Sequence, residues 1–103
     1  MNTIKEFRRA GHKVKVFHRR LVKILDLDNL KVNIKLLPLF EIRTKKLQKH
    51  VLANGGETEI FVTTKDGEDY RAATVCSKSD SWNRKTANRI VLGRIVKMME
   101  NKG

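Results

Sequence analysis

The period of the apolar positions changes along the chain, and the changes mark out the elements. In residues 1–11, Ile4, Phe7 and Arg8 have helical spacing and Gly11 follows, which predicts a basic arm or short helix ending there. Residues 12–22 alternate, with Val14 and Val16 on one side and Lys13, Lys15 and Phe17 on the other, which predicts a strand. Asp26-Leu27-Asp28-Asn29 supplies turn-forming residues. Residues 31–36 alternate strictly and put Val32, Ile34 and Leu36 on one face. Pro38 breaks that alternation and suits the first turn of a helix. Phe40, Thr44, Leu47 and Val51 then form one helical stripe, which Gly55-Gly56 ends.

The second half repeats the order. Residues 57–64 are rich in β-branched side chains, Asp66-Gly67 reads as a two-residue hairpin turn, and residues 68–76 form the return strand. That turn sets Val62 opposite Arg71 and Phe61 opposite Ala72. Both Ile60/Val62 and Phe61/Tyr70 qualify as the buried face. A final helix is expected over residues 80–100, with Ser79 or Asp80 as N-cap. Its apolar stripe is Ala87, Val91, Ile95 and Met98, widened by Leu92 and Met99. The expected architecture is a small single α+β domain over residues 12–103, after an arm or short helix over residues 1–11. Its order is β-β-α-β-β-α, with the long C-terminal helix packed on an antiparallel sheet.

Composition narrows the function classes. A chain of 103 residues with 40% apolar content supports one modest core and excludes a large or multidomain enzyme. The regular recurrence of Ile, Val, Leu and Phe excludes a disordered tail. Cys76 is the only cysteine, so no intramolecular disulfide forms, and a reducing compartment is favoured. No leader pattern is visible, and no stretch approaches about 18 apolar residues. The expected location is the cytoplasm.

Charge changes the picture most. Lys and Arg number 23 against 11 Asp and Glu, a net charge of +12. Lys5, Arg8, Arg9, Lys13, Lys15, Arg19, Arg20 and Lys23 crowd together with only Glu6 among them. Such a concentration points to a polyanion. On the final helix Lys85, Arg89, Gly93 and Lys97 form a ridge beside the apolar face, which Arg94 extends. Gly93 is read as a point of tight helix–sheet packing in preference to close approach of a phosphate. Trp82, in the first turn, is either a lid over the hairpin or a ring on which a base stacks.

Catalytic chemistry is poorly supported. His12, His18, His50 and Cys76 lack zinc-ligand spacing. Asp26 and Asp28 lack the glycine and later glutamate of a calcium loop, and no phosphate-binding glycine loop occurs. The acidic residues around the hairpin follow from alternation and turn chemistry. The expectation is a protein without catalytic residues, metal or cofactor.

One run of residues carries a resemblance. Cys76-Ser77, Asp80, Trp82 and Asn83-Arg84-Lys85, followed by Leu92-Gly93-Arg94, resemble a C-terminal signature of small basic proteins from phages and mobile elements of Gram-positive bacteria. The opening Ile4-Lys5-Glu6-Phe7-Arg8-Arg9 and the run to Arg20 are similar to their N-termini. The chain departs from that pattern at Ala87-Asn88, where Gly-Arg is usual, and at Ile95, where a small residue is usual. The resemblance implies a phage or mobile-element origin and points to no particular activity. A hairpin followed by a basic helix, with Lys78, Arg84 and Lys85 at its start, is also similar to the end of double-stranded-RNA-binding domains.

The function expected is nucleic-acid binding, to DNA or RNA. It would run through the basic N-terminal segment together with Trp82, Arg84, Lys85, Arg89, Arg94 and Lys97. The alternative is a phage-encoded inhibitor of a host defence or nucleoprotein machine, of anti-CRISPR type, acting by protein–protein contact. A homodimer through paired apolar helix faces is compatible with either.

Overall fold

Thr3 starts the first helix: its hydroxyl accepts the Glu6 N–H at 3.2 Å, a side-chain N-cap. The computed structural model describes residues 3–101, the side chain of Lys78 excepted. In chain order the elements are α1 (Ile4–Arg9), β1 (Lys13–Asp26), β2 (Lys31–Pro38), α2 (Leu39–Thr44), β3 (Asn54–Thr63), β4 (Asp69–Ser81) and α3 (Arg84–Asn101). The chain is an α+β protein in which the order β-β-α-β-β-α follows the short α1. The antiparallel sheet has strand order β2-β1-β3-β4, so β2 is an edge strand.

The residues gather into two compact units. The first comprises residues up to 17 together with 58–74 and those from 83 onward. Its core joins Phe7, Val14, Ile60, Val62 and Ala72 to Val91, Leu92 and Ile95 of α3. Each Phe, Val, Ile or Leu among them contributes about 1.5–3 kcal/mol on full burial. The choice between the two faces of β3 is therefore settled for Ile60 and Val62. Ala87 is buried as expected, whereas Met98 is exposed and Met99 packs at the core margin. The apolar stripe of α3 is thus engaged within this unit, while Ile90 and Met98 stay exposed.

Two local expectations are corrected at the start of α3 and at the β3–β4 hairpin. The helix begins at Arg84, and its N-cap is Asn83, whose Oδ1 accepts the Thr86 N–H at 3.1 Å. Ser79 and Asp80 instead belong to β4. The hairpin loop has three residues, not two. Thr64 exchanges backbone hydrogen bonds with Glu68 and Gly67, and Gly67 takes φ +84. This is the turn-plus-bulge connection, and it moves the facing by one residue. Thr63 accordingly meets Asp69, and Arg71 lies beside Phe61.

The second unit comprises residues 18–57 and 75–82. Here β1 and β2 pair from Arg19↔Pro38 to Asp26↔Lys31. The turn between them is held by Asp26, whose carboxylate accepts from the Asn29 side chain and the Asp28 N–H, both at 3.0 Å. Those hydrogen bonds, the Asn29 one foremost, hold the Asp26 pKa below its usual 3.8. Val22 and Ile42 are buried, while Val32, Ile34 and Leu36 of the strictly alternating β2 stand in solvent.

The long helix expected after Pro38 does not form. α2 ends at Thr44 in a Schellman motif, with Lys46 at φ +55 and Leu47 N–H donating to the Ile42 carbonyl at 2.8 Å. A lysine here occupies the left-handed position that glycine usually fills, so composition did not announce the stop. The Thr44 hydroxyl also donates back to the Phe40 carbonyl, which weakens a helix interior. Val51 is drawn into a bridge with Val22, and Phe40 is exposed. Gly55 and Gly56 open β3 and do not cap a helix. A Cβ on Gly56, at φ +144, would lie 2.6 Å from Trp82 Cδ1 and 2.9 Å from the Arg19 carbonyl oxygen.

Three outcomes follow. Gly56→Ala should lower stability by about 1–3 kcal/mol or more, because strained backbone and a clash coincide. Gly93→Ala should raise it by up to about 1 kcal/mol, since nothing lies within 4 Å of the added carbon. Urea midpoints check both. Asp26→Asn should lower stability at neutral pH and make no difference at pH well below 3.8. A depressed carboxylate pKa stabilises above its unfolded value, and that stabilisation is lost as pH falls through the folded value.

Candidate nucleic-acid interface

In the first unit, alternation divides β1 between two environments. Val14 and Val16 turn toward α3, so Lys13, Lys15 and Phe17 turn to the opposite face, where all three are exposed. Phe61 of β3 stands on that same face. The rings of Phe17 and Phe61 meet edge to face, 5.7 Å between centroids at 87°, and remain 43% and 36% exposed. Arg71 of β4 completes the group, its guanidinium 5.8 Å from the Phe61 centroid. The Glu59 carboxylate, which is 5% exposed, orients that guanidinium by a hydrogen-bonded ion pair. An open cleft of about 590 Å³ runs here, lined by Lys13, Lys15, Phe61, Val62, Thr63, Asp69, Tyr70 and Arg71. Asp69 accepts a hydrogen bond from the Thr63 hydroxyl at 2.7 Å.

The α3 ridge is a separate surface. Lys85, Arg89, Gly93 and Lys97 each stand two residues from Ala87, Val91 or Ile95, about 200° around the helix. They therefore lie nearly opposite the buried stripe, and all are exposed. The structure does not join them to Lys13 and Lys15, which occupy the far face of the sheet. The expectation that Gly93 packs tightly is overturned, because a side chain there would meet only open space. Arg94 reaches back to donate to the Ala73 carbonyl. Lys5 and Arg9 are exposed on α1, and Arg8 donates to the Val14 carbonyl at 3.1 Å. Arg84 opens α3 and is exposed.

The remaining predicted residues belong to the second unit, where two of the bases have structural work. Arg19 pairs with Glu57 at 3.0 Å. Arg20 donates to the Leu52 carbonyl at 2.7 Å, and its guanidinium lies 4.3 Å from the Trp82 ring centroid. Trp82 also meets His18 edge to face at 5.3 Å and packs against Gly56. It precedes α3 and is engaged on several sides, unlike a ring in the helix's first turn. Lys23 is exposed. The Lys78 side chain, expected near the start of the helix, lies outside the described residues.

Sequence reasoning missed Phe17, Phe61 and Arg71 as site residues. Phe17 was legible, since it shares the parity of Lys13 and Lys15. Phe61 and Arg71 depended on the hairpin register, which the bulged turn shifts. Among the described residues, no group of three His, Cys, Asp or Glu side chains is placed to hold a metal ion, and no helix is long and apolar enough to cross a membrane. No protein-family model, no curated protein and no solved structure matches the chain.

Structural and outward-facing bases should separate on substitution. Arg20→Ala should cost about 1–3 kcal/mol, because it strips a cation from the Trp82 ring and a donor from the Leu52 carbonyl. Lys15→Ala should stay within about 0.5 kcal/mol of the parent. Denaturation followed by Trp82 fluorescence reads the first, and circular dichroism reads both.

Proposed function

We propose that this is a non-catalytic nucleic-acid-binding protein of a phage or mobile element, acting in the host cytoplasm. One observation carries the reading. In the first unit Lys5, Arg9, Lys13, Lys15, Lys85, Arg89 and Lys97 are exposed, and none has a carboxylate partner among the described residues. Among the described residues nothing neutralises their charge. Exposed, unpaired lysines and arginines exchange condensed counterions for contacts with phosphate, which makes binding strongly salt-dependent.

A second reading has one observation in its favour. The β1–β2 hairpin exposes Leu25, Leu27, Leu30, Val32 and Ile34, an apolar patch of the kind that marks protein contacts. It suits an inhibitor that docks on a host nucleoprotein machine by protein–protein contact.

Titration of a labelled oligonucleotide at several salt concentrations tests the first reading. The log–log slope of affinity against salt should be steep, near −0.7 to −0.9 for each phosphate engaged. A flat response rejects it. Retention of one nuclease-resistant host protein by the parent chain, and its loss with Ile34→Asp, would favour the second reading instead.

A further inference from the structure

We infer that the sheet face opposite α3 in the first unit binds single-stranded nucleic acid, with Phe17 and Phe61 stacking on bases and Lys13 and Lys15 engaging the phosphates beside them. The inference rests on the nucleic-acid reading above and names the form of strand bound and the face that binds it.

The physical case begins with what this face leaves open. A sheet face exposed to water should carry polar side chains, yet two phenylalanines stand there in contact, each more than a third open to solvent. Neither belongs to the core cluster. An exposed aromatic pair gains from a flat π-surface laid against it, and a nucleobase offers one whatever its identity. In a duplex both faces of each base are already covered by its neighbours. Only unpaired bases can reach a ring on a sheet, so the pair selects single strands.

Charge fixes the occupant. Lys13 and Lys15 flank the rings on β1, and Arg71 lies beside Phe61 on the other side. Glu59 is neutralised by Arg71, while Asp69 keeps its charge as it accepts from the Thr63 hydroxyl, so Lys13 and Lys15 outnumber it. The lysines are left to set the sign of the surface around the rings. An apolar peptide would gain nothing from that positive rim, whereas a polynucleotide presents bases and phosphates in alternation. The buried position of Glu59 also fixes the direction of Arg71, which can stack on a base as well as on Phe61. Nothing on this face reads a base edge or a sugar hydroxyl with specificity, so oligo-dT and oligo-U should bind alike.

The test is fluorescence anisotropy of the full chain with labelled oligo-dT, oligo-U and a short duplex, across a salt series. Both single strands should bind more tightly than the duplex. Phe17→Leu and Phe61→Leu should each weaken oligo-dT binding about 5- to 100-fold, with the salt slope unchanged. Phe61→Tyr should bind like the parent, because it keeps the ring, and this separates stacking from packing. Lys15→Ala should make the slope shallower by about 0.7. Melting curves confirm that each variant is folded. A steep salt slope with duplex preferred, or with both leucine variants unchanged, overturns this inference and leaves nucleic-acid binding standing. A flat response with every probe overturns both.

Discussion

One helical layer can cover only one face of a sheet, and the first unit depends on that constraint. The stripe Ala87, Val91, Leu92 and Ile95 of α3, helped by Phe7 of α1, packs against one face built from Val14, Ile60, Val62 and Ala72. Because side chains alternate along each strand, burying these residues commits their neighbours to the opposite face. Lys13, Lys15 and Arg71 are at home in water there. Phe17 and Phe61 are not, yet both stay more than a third exposed. Violations of the inside–outside rule are most informative where folding gives no reason for them.

The same constraint sorts the positive charge. The ridge Lys85, Arg89 and Lys97 points outward from the helical layer, while Lys13 and Lys15 point outward from the sheet layer, with the core between them. A net charge of +12 is therefore not one patch. Some of it is structural: Arg19 pairs with Glu57, and Arg20 supports Trp82 and the Leu52 carbonyl. Counting bases along residues 5–23 overstated the surface available to a polyanion by including these two arginines.

Much of the fold was legible from periodicity, and the failures have local physical causes. The α3 stripe, the strands flanking the hairpin and the β1–β2 pair follow from patterns of apolar residues whose burial or pairing is strong. The helix after Pro38 was overextended because its stop uses Lys46 in a left-handed conformation, for which sequence carries no marker. The N-cap was misplaced because Ser79 and Asp80 are good caps in isolation, yet β4 pairing continues through Ser81. The interface was partly legible: Lys13 and Lys15 were identified and Phe17 shares their parity, but Phe61 and Arg71 required the register. A bulged turn at Gly67 moved that register by one residue and brought Arg71 beside Phe61.

The most direct test of this account is an amide chemical-shift map of the protein titrated with a single-stranded oligonucleotide. The account predicts that the largest changes fall on Lys13, Lys15 and Phe17 of β1, on Phe61 of β3 and on Arg71 of β4, with smaller changes along α3. Changes concentrated on Lys85, Arg89 and Lys97, with the sheet residues unmoved, would contradict it.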